Sequence, residues 1–157
     1  MVTLAAIGVT AGSSMTNPTA HNGLRDILTE SWDQHGFTCP LLVREYIVRI
    51  LAEKIDQNPW QPEPSYAERY MTLRTPSQAL DLGNTCFFTR SVFPDIGTRR
   101  GIRATYYTDI GQGAYDFVLS YSAIPAVRIL RDHFEYCAEM TWTAVHSKDA
   151  IREFWDL

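Results

Sequence analysis

The sequence predicts an all-α protein, a single compact helical bundle of about six to seven helices. Three observations predict it. Two capping boxes punctuate the chain, prolines stand where helices begin, and one stretch carries an unusually wide apolar face at helical spacing. At 157 residues, 45% hydrophobic and 20% charged, the chain has the size and composition of one globular domain, taken here as 1–157 with an apolar, uncharged leader at 1–16.

Asn17-Pro18 supplies an N-cap followed by proline at the first helical position, and Leu24, Ile27, Leu28 and Trp32 then recur on one face until Gly36. Pro40 opens the strongest helix, expected to be the central one. There Leu42, Val43, Tyr46, Ile47, Ile50, Leu51 and Ile55 cover a wide face, with Glu45, Arg49 and Glu53 spaced to pair on the other. Pro59, Pro62 and Pro64 force a loop. Ser65 with Glu68, and Thr75 with Gln78, are capping boxes that start two further helices, the second ending at Pro94. Pro125 opens a long helix expected to run through Phe134, Cys137 and Trp142 to Val145, and Ser147 caps a last short one with Ile151, Phe154 and Trp155.

Residues 105–121 are ambiguous by pattern. They read either as a helix carrying Tyr106, Tyr107, Ile110, Ala114, Phe117 and Val118 on one side, or as a hairpin at 102–121 about Gly111-Gln112-Gly113, which would make the fold α+β. Interior glycines cost a helix about 1 kcal/mol each, and tyrosine, threonine and valine favour strands.

A net charge of −4 disfavours a general nucleic-acid binder, which needs a basic surface against phosphates. Apart from Lys54 and Lys148, the 14 basic residues are arginines, a bias that suits bidentate carboxylate pairs as well as it suits genomic composition. Cys39, Cys86 and Cys137 are odd in number, lack CxxC spacing and sit in apolar stretches, so free, reduced thiols and a cytoplasmic location are expected. Val2–Val9 is apolar but short and lacks a basic flank, and no later stretch has the length of a membrane span.

Leu82-Gly83-Asn84-Thr85-Cys86-Phe87-Phe88 is followed by Phe93-Pro94, Arg99-Arg100, Tyr106-Tyr107, Gly111 and Ala114-Tyr115. In order and spacing this resembles proteobacterial all-helical proteins with no assigned activity, in which Gly-Asp opens an aromatic-rich helix. Here Asn84 stands in place of the aspartate. The match spans about a third of the chain. The resemblance implies an all-helical fold, and so a helix at 105–121, but no reaction, substrate or catalytic residue.

The same motif supplies the candidate sites. Gly111 and Ala114 suit close helix packing with Phe87, Tyr106, Tyr107 and Tyr115 around them, or else a pocket for a flat ligand. In the packing reading, Arg99, Arg100 or Asp109 would satisfy the tyrosine hydroxyls. Arg90, Arg99, Arg100 and Arg103 outnumber Asp95 and suit either capture of an anionic group or pairing with acidic helices nearby; the chain from Asp132 onward holds six acids against two bases. His133 and Cys137 share a helical face but lack the further ligands that zinc needs, so no metal, cofactor or catalytic residue is expected. No phosphate-binding or nucleophile motif is present.

The expected role is a non-enzymatic helical domain that binds another protein or itself through aromatics and arginines, with Trp60 and Trp155 as further anchors. The alternative is a bundle that binds a small molecule or metal and has an enzymatic use.

Overall fold

The computed structural model describes residues 18–57, 64–147 and 150, and every regular element among them is helical. The elements are α1 (Pro18–Gln34), α2 (Leu41–Gln57), α3 (Tyr66–Met71), α4 (Pro76–Val92), a 3-10 turn (Thr98–Arg100), α5 (Ala104–Leu119), α6 (Pro125–Asp132) and α7 (Phe134–Val145). The apolar leader at 1–16, the proline loop with Trp60, and the last helix with Trp155 lie outside the described residues. Contacts divide the chain into two units, Met1–Pro59 with Glu139–Leu157, and Trp60–Ala138.

In the first unit α1 packs on α2. Leu24, Leu28 and Trp32 are buried on α1, and Val43, Ile47, Ile50 and Leu51 on α2, as the helical spacing dictates. Gly36, at φ 68°, closes α1 with two bonds, Phe37 N to Trp32 O (2.9 Å) and Gly36 N to Asp33 O (3.4 Å). Arg44 lies over the rings of Trp32 (5.7 Å) and Phe37 (5.6 Å) and bonds Asp33 and the Phe37 carbonyl. Glu45 faces α1 and takes a two-pronged bond from Arg25.

In the second unit both capping boxes form as spaced. Ser65 Oγ accepts from Glu68 N (3.1 Å) and Thr75 Oγ1 from Gln78 N (3.1 Å), with each side chain at the fourth position reaching back. The hairpin alternative is overturned. Residues 104–119 form one helix, because Gly111 is buried against Cys86 of α4 and Phe134 of α7 where a larger residue would not fit, and that packing outweighs the poor helix propensity of glycine. On α4 every residue from Leu82 to Thr89 is buried. Two of its threonine hydroxyls are satisfied along the helix, Thr85 donating to Asp81 O (2.8 Å) and Thr89 to Thr85 O (2.9 Å), whereas the buried Ser91 hydroxyl has no such partner among the described residues.

The long helix expected from Pro125 to Val145 is instead two, broken at His133 (φ −125°, ψ 33°). The side chain of Gln112 donates to the Arg131 carbonyl (2.8 Å), entering the helical ladder at that turn. Trp142 is 42% exposed and stacks on His146 at 4.5 Å. Ser147 Oγ accepts from Ala150 N (3.2 Å), the N-cap bond its position predicts.

Candidate functional site

The aromatic motif is a packing device. A Cβ on Gly83 would lie 2.4 Å from the Tyr115 ring, and one on Gly111 would lie 2.6 Å from Phe134 and 3.0 Å from Cys86. These glycines let the rings of α5 and α7 press against α4. Phe87 and Tyr115 flank Phe134 at centroid distances of 5.4 and 6.0 Å. Tyr107 meets the rings of Tyr66 (5.6 Å) and Tyr106 (5.5 Å). Phe87, Tyr107 and Tyr115 are all buried, so the space between α4 and α5 is filled with side chains.

The hydroxyl partners differ from those expected. Tyr115 donates to Asn84 Oδ1 (2.8 Å), Tyr106 accepts from Ala67 N (2.7 Å), and Tyr66 bonds Thr89 (3.0 Å). Arg99, Arg100 and Asp109 are exposed instead. Asn84, the departure from the resembled pattern, thus presents a neutral acceptor to a tyrosine in the core. Burial pushes the Tyr66 hydroxyl and the Cys86 thiol well above their usual pKa range, opposed by the Thr89 bond at Tyr66 and by Arg69 at Cys86, so both stay protonated.

Arg90 leaves the basic group. Its guanidinium makes a two-pronged bond to Glu135 (3.0 and 2.8 Å), and Thr108 also bonds that carboxylate. Burial alone would raise the Glu135 pKa, but the bonds from Arg90 and Thr108 and the guanidinium charge hold it below the usual range. Glu135 belongs to the acidic C-terminal stretch proposed to neutralise these arginines. It reaches only the first of them.

Arg99, Arg100 and Arg103 remain exposed and form no ion pair among the described residues. Their backbone is closely tied. Gly97 O accepts from both Arg100 N (2.9 Å) and Ile102 N (3.0 Å), and Thr98 N donates to Asp95 O (3.1 Å). Gly101 adopts φ 76°, and a Cβ on Gly97 would meet the Tyr107 hydroxyl at 2.7 Å and Ile102 at 2.8 Å. Arg103 ends the turn as the N-cap of α5, its side chain making no cap bond.

An open cleft of about 200 Å³ lies between α3 and α4, lined by Arg69, Thr72, Leu73, Gln78, Asp81 and Leu82. Local structure already engages its polar groups. Arg69 approaches Asp81 (3.5 Å) and lies over the Tyr66 ring, Thr72 donates to backbone carbonyls, and Gln78 Oε1 serves the capping box. His133 is exposed whereas Cys137 is buried, so their shared helical spacing does not bring them to one ion. Among the described residues no group of three or more His, Cys, Asp or Glu side chains is gathered to hold a metal, and no helix is long and apolar enough to cross a membrane.

No protein-family model, curated protein or solved structure matches the chain.

Proposed function

We propose that the chain is a non-enzymatic, cytoplasmic interaction domain that holds another protein, or a second copy of itself, through the arginine turn of its second unit. One observation carries this reading. Of the arginines and tyrosines expected at a site, only Arg99, Arg100 and Arg103 are both exposed and without an ion pair among the described residues, whereas Arg90, Tyr107 and Tyr115 are engaged in holding helices together. Exposed arginines on a tied backbone suit an interface, because little backbone freedom is lost on binding. That Cys39, Cys86 and Cys137 form no disulfide among the described residues supports the cytoplasmic part of the proposal. Kinship with the proteobacterial helical proteins is proposed on the same motif, whose glycines and aromatics have a shared structural purpose here.

Isolation of the intact chain from the cells that make it tests the reading. A protein companion in fixed stoichiometry, or a defined homo-oligomer by light scattering, is the expected result. A monomer carrying bound metal, or absorbing beyond the tryptophan band, would instead establish the small-molecule or metal reading.

A further inference from the structure

We infer that the turn Gly97–Arg103 docks an acidic peptide segment of its partner, with Arg99, Arg100 and Arg103 pairing its carboxylates. The inference rests on the interaction reading above and specifies the chemistry of the contact.

Five other arginines of the chain show what this residue does here when an acid is within reach. Arg25, Arg44, Arg69, Arg90 and Arg131 each pair with an aspartate or glutamate, and Arg25 and Arg90 do so with two-pronged geometry. The planar guanidinium fork matches a carboxylate, and one protein surface can offer it what another protein surface offers elsewhere. At the turn, three such forks stand within five residues. The acids nearest in sequence, Asp95 and Asp109, are exposed and pair with none of them.

The turn presents these side chains from a fixed frame. The double acceptance at Gly97 O, the left-handed Gly101 and the crowding of Gly97 by Tyr107 and Ile102 hold the backbone before any partner arrives. The first N–H groups of α5, at Ala104 and Thr105, have no intrahelical acceptor, and their partial positive charge adds to that of the arginines. The patch is short, and the chain as a whole is at −4. An extended polyanion such as RNA would be repelled beyond the turn, whereas a short acidic segment needs no wider basic surface.

Fluorescence anisotropy of a labelled Asp/Glu-rich peptide against the full chain tests this, with the matching Asn/Gln peptide as reference. The triple variant Arg99→Gln, Arg100→Gln, Arg103→Gln is compared with Arg49→Gln, Arg74→Gln, Arg128→Gln, which removes the same charge from three other exposed arginines that lack ion pairs. All six side chains are exposed, and far-UV circular dichroism confirms that both variants fold. The expected result is binding of the acidic peptide alone, weakened by rising salt and by about tenfold in the turn variant, with the other variant unchanged. Equal weakening in the two variants, absence of binding, displacement by equimolar inorganic phosphate, or tighter binding of a single-stranded oligonucleotide each overturns the inference. The two readings fail separately. A companion lost from the turn variant although the acidic peptide does not bind contradicts the acidic-peptide inference alone, whereas a companion retained by that variant, or a monomer without any companion, contradicts the interaction reading itself.

Discussion

At Gly111 a single hydrogen in place of a side chain sets how closely α5 approaches its neighbours. Alanine there gains about 1 kcal/mol of helix propensity, but its Cβ would sit 2.6 Å from Phe134 and 3.0 Å from Cys86. Both neighbours are buried and cannot swing aside, so Gly111→Ala is expected to destabilise by about 1–3 kcal/mol net, read as a lower urea midpoint. Tyr115→Phe removes the bond to Asn84 and is expected to cost about 1 kcal/mol in the same titration. The cysteines separate by burial. Cys39, partly exposed, is expected to alkylate in the folded protein, while Cys86 and Cys137 react only on unfolding; mass spectrometry of the labelled chain reads this directly. The sequence marked these glycines and aromatics as a unit through their order and spacing. It could not say which hydroxyl meets which acceptor, because Asn84 and Tyr115 lie 31 residues apart and their pairing is a product of helix packing.

Between elements, Arg90, Glu135 and Thr108 join α4, α7 and α5 through one carboxylate. The Glu135 pKa is depressed in the folded state, so its ionised form favours folding above the unfolded value of about 4.3, and that contribution disappears as pH falls through the lower folded value. The carboxylate is partly exposed, which limits the size of the effect. Acid titration of stability is expected to be shallower for Glu135→Gln than for the wild type between pH 5 and 3, and an unchanged slope would show that another carboxylate governs the acid limb. At the alkaline end the sign reverses. Cys86 and Tyr66 keep their protons in the folded state while the unfolded chain releases them, so stability should fall as pH rises past about 9. Helix starts were legible because caps and prolines act locally. The break at His133 was not, since it depends on Gln112 reaching the Arg131 carbonyl from another helix. The all-round burial within helix α4 is likewise not legible in the sequence. Buried all round from Leu82 to Thr89, it has no polar face to set a period, and its Gly, Asn and Thr residues hide a core position behind polar identity.

For the whole molecule, the all-helical class followed from punctuation and periodicity, and far-UV circular dichroism is expected to show the double minimum of helix without a β contribution. The candidate site was legible only as a group of residue types. Nine residues were proposed on composition and motif. Packing absorbed Tyr106, Tyr107 and Tyr115, an ion pair absorbed Arg90, and Trp60 and Trp155 lie outside the described residues. What separates the remaining three arginines from Arg90 is that none of them forms an ion pair among the described residues, a property of tertiary neighbours that no spacing encodes. The interaction reading therefore stands or falls at that turn. The most direct measurement is isolation of the tagged chain from its own cells in three forms: wild type, the glutamine variant of Arg99, Arg100 and Arg103, and the glutamine variant of Arg49, Arg74 and Arg128. A companion in fixed stoichiometry with the first and third forms, and absent from the second, is the predicted result; a companion held equally by all three, or by none, would contradict it.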